Sequence, residues 1–470
     1  MIKKSRFVLT LALLLIICLT CISPALADPS ESEAGTDIYA RDPDEAFMTS
    51  EAAITKLLKA PYGTAIPASM SFMFKVTALG VNSEITDTAK FEAANAISGN
   101  ATIQDETGIY RVVTIPIGKS PKAEGTDPNN ITTWYLESDN IFDVSRYTHA
   151  GVYKYNIREI ADPFDIDEAH ESLVFSNAEY AVNVYVKTVG NVLEIAYIGV
   201  LRIKDDDGGD VSIEDQTKLD PTPGDPTIIG DYSDMAFTNK YVKTNGAADP
   251  KKPNPEDPAE ATLYISNAVD GEYASPTMLF DFTLTITVPD LIEGYIGKVY
   301  KAYFVAANLD DDGNPTDGFY AVPDARPIEF THNTAKTFQL MHGQRLVFVD
   351  TPVGTKYTVS EAEAEGYKPR ATVSYGDDDQ ITIYGDQDVR LTLPNNDIDD
   401  SMLFVAESNS GAAFVNEETT SSPTGLNLND LPFLGLIALA LCALTAYITV
   451  IITRKRNCVK NCDIHDIGFE

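Results

Sequence analysis

Residues 151–159 read GVYKYNIRE, and residues 354–361 read GTKYTVSE. In each stretch an aromatic and then an aliphatic side chain occupy every second position before a glutamate, Glu159 in the first stretch and Glu361 in the second. Alternation with a period of two is typical of a β-strand that buries one face. Both stretches therefore predict strands on which the glutamate follows an apolar stripe into a core, where desolvation favours the protonated carboxyl.

Runs of the same kind recur along the chain, separated by clusters of Asp, Asn, Pro and Gly that favour turns. The predicted strands are residues 70–79, 110–117, 152–160, 180–189 and 191–203, followed by 262–266, 280–288, 299–307, 327–331, 346–350, 356–362, 371–375, 380–384, 389–393 and 402–405. No long amphipathic helix alternates with these strands, which argues against a parallel α/β fold. The predicted fold class is all-β, with two tandem antiparallel β-sandwich (Ig-like) domains.

Apolar segments stand near both ends of the sequence. Basic residues precede the first segment and small residues end it at Ala27, which predicts a signal peptide over residues 1–27. Residues 431–453 carry no charge and are long enough to cross a membrane as a helix. The basic residues 454–456 follow, so we expect a single-pass membrane protein with its large body outside and residues 454–470 in the cytoplasm.

The segments between these ends differ in composition. In order, we predict a flexible leader at 28–49, a first β-sandwich domain at 50–243, a Pro-rich linker at 244–261, a second β-sandwich domain at 262–416 and a stalk at 417–430.

Cysteine usage and charge narrow the class of function. All five cysteines lie in the predicted signal peptide, span or tail: Cys18, Cys21, Cys442, Cys458 and Cys462. An exported body without disulfides indicates a Gram-positive bacterial surface more than a eukaryotic secreted domain. The net charge of −35 argues against nucleic-acid binding, which needs clustered Lys and Arg. The chain has no nucleophile motif and no closed set of metal ligands, so we expect no turnover enzyme, no cofactor and no metal.

A second motif follows each glutamate. Residues 235–239 read MAFTN and residues 412–416 read AAFVN. The order Tyr-x-(Ile/Val)-x-Glu and then Phe-x-Asn resembles the isopeptide-containing domains of Gram-positive pilins and surface proteins, such as the streptococcal T-antigen backbone pilins. In that family a lysine on the first strand is bonded to the asparagine on the last strand, and the glutamate is the catalyst.

The resemblance implies roles for particular residues of this chain. In the first domain Lys56 would be crosslinked to Asn239 with Glu159 as the catalyst, and Lys59 is a close alternative for the lysine. In the second domain Asn267 stands where the lysine is expected. An asparagine cannot attack Asn416, so Asn267, Glu361 and Asn416 are interpreted as a remnant of the same site.

The residues before the predicted span carry a further resemblance. Pro423, Thr424 and Gly425, followed by an apolar run and then basic residues, are similar to a sortase sorting signal. This implies sortase, the cell wall or other pilins as partners. The same residues also suit a simple Ser/Thr/Pro stalk on a permanently anchored protein, and both interpretations stay open.

Two functions fit these observations. The first is a pilin-like or adhesin stalk protein of a Gram-positive cell, with a self-made isopeptide bond in its first domain. Because residues 231–235 contain no lysine where a backbone pilin has its acceptor, a tip, base or stand-alone role is favoured over a backbone subunit. The alternative is a membrane-anchored module that binds a host protein or glycan and has no crosslink.

Overall fold

The computed structural model describes residues 49–118, 122–124, 131–161, 166–225, 228, 230–249, 251–311, 315–376, 380–394, 403–408, 410–419 and 431–462. The predicted signal peptide, nearly all of the predicted leader and the triplet Pro423, Thr424 and Gly425 lie outside these residues.

The first half of the body is a two-layer β-structure. Its strands are β1 (Thr55–Pro61), β2 (Ser71–Val81), β3 (Ile103–Asp105), β4 (Gly108–Pro116), β5 (Lys122–Glu124), β6 (Ile131–Glu137), β7 (Gly151–Ile160), β8 (Glu171–Val174), β9 (Glu179–Val189), β10 (Val192–Lys204), β11 (Lys218–Leu219) and β12 (Ala236–Lys243). They form a five-stranded sheet in the order β5-β6-β1-β12-β8 and a seven-stranded sheet in the order β11-β10-β9-β7-β2-β4-β3. Alternate side chains from both sheets build one apolar core between the layers.

The second half repeats this plan. Its strands are β13 (Leu263–Asp270), β14 (Phe280–Thr287), β15 (Tyr300–Leu309), β16 (Pro315–Ala321), β17 (Ile328–Phe330), β18 (Lys336–Leu340), β19 (Gln344–Phe348), β20 (Lys356–Glu361), β21 (Tyr367–Tyr375), β22 (Gln380–Tyr384), β23 (Leu391–Leu393) and β24 (Ser410–Glu418). One sheet runs β16-β15-β19-β13-β24-β21-β22 with β17 beside β15, and the other runs β18-β14-β20-β23. A second apolar core fills the space between them.

In both halves the first and last strands are neighbours. Strand β1 pairs in parallel with β12, and β13 pairs in parallel with β24, while the other strand pairs of the described residues are antiparallel. In a parallel pair, the start of the first strand and the end of the last strand lie at opposite ends of the pair. Pulling the chain at those two points therefore shears the strands past each other. A bond between these two strands would therefore carry load along the molecule.

Helices are few in the described chain. A short helix α1 (Asp87–Asn95) crosses the edge of the first core, and 3-10 turns cover Val144–Arg146 and Pro258–Glu260. The helix α2 (Leu431–Cys462) contains a segment, Leu436–Arg456, that is apolar and long enough to cross a membrane. The predicted fold class, all-β with one apolar C-terminal helix, is confirmed.

Most predicted strands exist within a few residues of their expected bounds, with informative exceptions. Strands β6, β8, β16 and β18 lie outside the predicted runs, as do β3, β5 and β11, which have only two or three residues. Strands β1, β12 and β24 were expected only as the first and last strands that the resemblance implies. Residues 402–405 were predicted as a strand, yet Phe404 forms only an isolated bridge with Lys356. The Phe404 ring instead packs edge-on against Tyr62 of the first half, with ring centroids 5.1 Å apart.

The segment at 244–261, predicted as a linker, makes specific contacts. The backbone N–H of the buried Ala247 donates to the Val349 carbonyl at 3.0 Å. Just before the segment, the Lys243 ammonium lies 2.8 Å from a carboxylate oxygen of Glu407 in the second half. The two halves therefore meet through hydrogen bonds and an ion pair as well as through the chain itself.

Candidate functional site

The most unusual side chain of the first half is a lysine inside the core. Lys56 lies on β1, where the even-numbered positions Lys56 and Leu58 point into the sandwich, and its side chain is fully buried. Its Nζ atom lies 4.9 Å from the ring centroid of Phe72 and 5.9 Å from that of Phe74. A lysine is almost never fully buried unless it is paired, so this position calls for a partner.

That partner is Glu159 at the end of β7. The Lys56 Nζ atom lies 2.8 Å from Glu159 Oε2, and both side chains are shielded from solvent. The other carboxylate oxygen, Oε1, accepts a hydrogen bond of 2.9 Å from Asn239 Nδ2. One carboxyl group thus bridges the amine on the first strand and the amide on the last strand of the sandwich.

A backbone N–H completes the group. The N–H of Ser176 donates to Asn239 Oδ1 at 2.8 Å and also reaches Glu159 Oε2 at 3.2 Å. Ser176 is held in turn by Asp206, whose Oδ1 accepts from the Ser176 hydroxyl at 2.5 Å and from the Thr238 N–H at 2.9 Å. Neither residue was predicted, because the role of Ser176 depends on a backbone group and Asp206 lies in one of the Asp- and Gly-rich clusters that favour turns.

Burial changes the proton affinities of both ionisable groups. Desolvation lowers the pKa of the Lys56 ammonium to about 8, against the opposing charge of Glu159. Desolvation also raises the pKa of the Glu159 carboxyl, and this effect exceeds the opposing effects of Lys56 and Asn239. Both shifts favour neutral forms, so an uncharged amine beside an uncharged carboxylic acid is an accessible state of this pair.

The strand register explains why these groups meet. In the parallel pair of β1 and β12, Lys56 lies opposite Phe237 and Leu58 lies opposite Asn239. Lysine and asparagine are therefore offset by two residues on the same face, a gap that the long lysine side chain spans. Lys59, the alternative, is three positions from Lys56, so its side chain points to the opposite face and is half-buried. Among the described residues, Lys56 is the lysine that contacts Glu159.

The second half contains the same arrangement with one substitution. Asn267 on β13, Glu361 on β20 and Asn416 on β24 are all buried. Asn416 Nδ2 donates to Glu361 Oε1 at 2.5 Å and to Asn267 Oδ1 at 3.0 Å. The three predicted residues are thus brought together, but Asn267 supplies an amide where the first half has an amine. Desolvation raises the pKa of Glu361 to about 7, against the opposing effect of the hydrogen bond from Asn416.

No cluster of metal ligands exists within the part of the chain that the structure describes. In the Asp205–Asp210 turn, Asp205 Oδ1 accepts the N–H groups of Asp207 at 3.1 Å and Gly209 at 2.7 Å. These contacts are those of a tight hairpin turn.

Comparison with known proteins gives three findings. A family model described as a domain of unknown function (DUF7601) matches residues 261–397, which fall in the second half. No curated protein matches the chain. Several solved structures of pilus proteins are similar to it.

Among these, the major pilin T3.2 of Streptococcus pyogenes serotype GAS13637 shares 16% identity over 79% of this chain and 100% of that chain, with a TM-score of 0.28. Another structure of the major pilin from Streptococcus pyogenes shares 15% identity over 79% and 99% of the two chains, also with a TM-score of 0.28. The pilus-presented adhesin Spy0125 (Cpa) shares 14% identity over 56% of this chain and 38% of that chain, with a TM-score of 0.19.

Proposed function

We propose that this chain is a pilin-like or adhesin stalk protein on the surface of a Gram-positive bacterium, and that its first domain carries a self-formed isopeptide bond between Lys56 and Asn239. One observation carries the proposal: a fully buried lysine on the first strand and an asparagine on the last strand contact the two oxygens of the same buried glutamate.

The bond forms by amide transfer. The neutral Nζ of Lys56 attacks Cγ of Asn239, the Cγ–Nδ2 bond breaks, and a new Nζ–Cγ amide bond remains. The two hydrogens on Nδ2 and one hydrogen from Nζ leave together as ammonia, so atoms and charge balance. No external substrate, cofactor or oxidant takes part.

Glu159 serves as the proton carrier of this reaction. Its Oε2 faces the attacking amine and its Oε1 faces the departing amide nitrogen, so one carboxyl group is in reach of both proton transfers. Acid–base assistance of this kind contributes on the order of 10² to 10⁴ in rate. The carboxyl is regenerated at the end, but the substrate is the domain itself, so each chain reacts once.

The N–H of Ser176 stabilises the intermediate. It donates to Asn239 Oδ1, the atom on which negative charge develops when the carbonyl carbon becomes tetrahedral. A backbone donor fixed by the Asp206 contacts needs little reorganisation during the reaction. The apolar rings of Phe72 and Phe74 keep the amine out of water and so help to keep it neutral.

The product suits a load-bearing stalk. The new bond joins two strands that are parallel neighbours, so it resists the shear that pulling on the domain produces. It also supplies the crosslink that a body without cysteines lacks. The helix segment Leu436–Arg456 provides a membrane anchor, and cleavage after Thr424 by a sortase would replace that anchor with a covalent link to the wall or to a pilin.

Intact-mass measurement of the full chain tests the crosslink. We expect the purified chain to weigh one ammonia less than its sequence, and a Glu159→Ala chain to show the full sequence mass. Lys59→Met is the matched control, because it removes a nearby lysine that does not contact Glu159, and it should keep the deficit. A native chain with the full sequence mass would overturn the proposal.

A further inference from the structure

The second half reproduces the crosslinking site of the first half position by position. Asn267 lies opposite Phe414 in the parallel strand pair, as Lys56 lies opposite Phe237, and in both halves the acceptor asparagine follows two residues later. The first and last strands therefore pair in the same register in both halves. The backbone at position 267 occupies the same position in this pairing as the backbone at Lys56.

The surroundings of that position also match. Glu159 pairs with Phe74 across neighbouring strands, and Glu361 pairs with Phe282 in the same way. Each of these phenylalanines has a second phenylalanine two positions earlier, Phe72 or Phe280, and both of those are buried. The aromatic side chains near the Lys56 amine therefore have counterparts at the matching strand positions of the second half.

Two buried atoms of the second site lack a hydrogen-bond partner among the described residues: Glu361 Oε2 and Asn416 Oδ1. In the first half, the corresponding oxygens accept from Lys56 Nζ and from the Ser176 N–H. Burying two unpaired acceptors is costly. A neutral carboxyl lowers this cost, because an uncharged Glu361 is less costly to bury than an ionised one.

The described neighbours of Glu361 on the paired strands are uncharged. Its neighbours on the paired strands are Phe282 on β14 and Leu391 on β23, and its polar contact is Asn416, which is uncharged. Burial then raises the pKa of Glu361, with the Asn416 hydrogen bond as the opposing cause. Burial thus favours the protonated form of this carboxyl.

We infer that Glu361 and Asn416 form a latent amide-transfer site, which has the carboxyl and the amide but neither an amine nor a described counterpart of the Ser176 N–H, and that this site will react with a primary amine placed at position 267. The chemistry rests on the function proposed for the first domain. A neutral lysine Nζ would attack Asn416 Cγ, the Cγ–Nδ2 bond would break, and ammonia would leave as the new amide forms. Glu361 would protonate the departing nitrogen and recover its proton from the attacking one.

The test is Asn267→Lys in the full chain, purified in detergent and digested for mass spectrometry. We expect an intact mass lower by one further ammonia and a linked peptide that joins position 267 to Asn416. Asn267→Met is the control for side-chain volume, and Asn267→Lys combined with Glu361→Ala is the control for catalysis; both should lack the second link. A folded Asn267→Lys chain without that peptide overturns the inference.

The same digest separates this inference from the proposed function. If the peptide joining Lys56 and Asn239 is present and the second link is absent, only the latent site is refuted. If the Lys56–Asn239 peptide is also absent, the proposed function fails as well.

A second measurement applies if Asn267→Lys does not fold. The infrared difference spectrum between the native and Glu361→Gln chains should contain the carbonyl band of a protonated carboxylic acid at slightly acidic pH. A carboxylate band in its place would overturn the inference, because an ionised Glu361 has no proton to give to the departing nitrogen.

Discussion

Replacing Glu159 with glutamine isolates the chemistry of the first site from its packing. Glutamine has the same size and can still accept a hydrogen bond from Asn239 Nδ2, but it cannot carry a proton from the amine to the departing nitrogen. We therefore expect a folded chain in which Lys56 and Asn239 remain unlinked. Its first domain should be less stable than that of the native chain.

The size of the loss follows from the loop that the bond closes. Residues 56 and 239 are 183 positions apart, since 239 minus 56 is 183. The chain-entropy relation for a crosslink across about 180 residues gives about 5 kcal/mol at 25 °C. For a domain of this size each kcal/mol moves the melting temperature by roughly 2 to 4 °C, so the first transition should fall by about 10 to 20 °C.

Scanning calorimetry of the full chain in detergent measures this shift, with intact mass recorded on the same samples. Lys59→Met serves as the control and should melt close to the native chain. If the glutamine variant has lost the bond by mass, yet its first domain melts within about 3 °C of the native one, the covalent bond does not supply the stability calculated here.

Lys56→Asn should give the first half the same Asn–Glu–Asn set of residues as the second half, without a crosslink. This chain should show the full sequence mass and a melting temperature lowered much as in Glu159→Gln. A persisting ammonia deficit would exclude Lys56 as the nucleophile. Because burial raises the folded-state pKa of Glu361 from 4.5 to about 7, its contribution to stability is complete below pH 4.5 and is lost as the pH rises through 7. That loss is on the order of 3 kcal/mol; Glu361→Gln should abolish this pH dependence of the second melting transition, and an unchanged dependence would assign it to another group. Thr424→Ala should abolish wall-linked material ending at residue 424 and leave the protein extractable with detergent; equal wall attachment in both chains would refute the sorting signal.

Much of the site could be predicted because strand alternation and short motifs depend only on residues that are near each other in the sequence. The period-two stripes that end at Glu159 and Glu361 correctly indicated buried carboxyls. The structure brings Lys56 and Asn239 to the same carboxyl, although that contact depends on a parallel pairing between strands almost 180 residues apart, for which the only sequence signal was the family resemblance.

Other features were beyond sequence reasoning for physical reasons. The N–H of Ser176 is a backbone group, so the residue type at position 176 does not indicate its hydrogen bond to Asn239. Asp206 looked like one of several acidic turn residues, and only its contacts with Ser176 and Thr238 distinguish it. The contact between Lys243 and Glu407 across the two halves joins residues whose proximity depends on tertiary packing alone.

The most direct test of the central claim is tandem mass spectrometry of a protease digest of the native chain. The account predicts a branched peptide in which Lys56 Nζ is joined to the side chain of Asn239, with fragment ions from both strands and a mass lower by one ammonia than the two separate peptides. Recovery of the Lys56 and Asn239 peptides only as separate, unmodified species would contradict it.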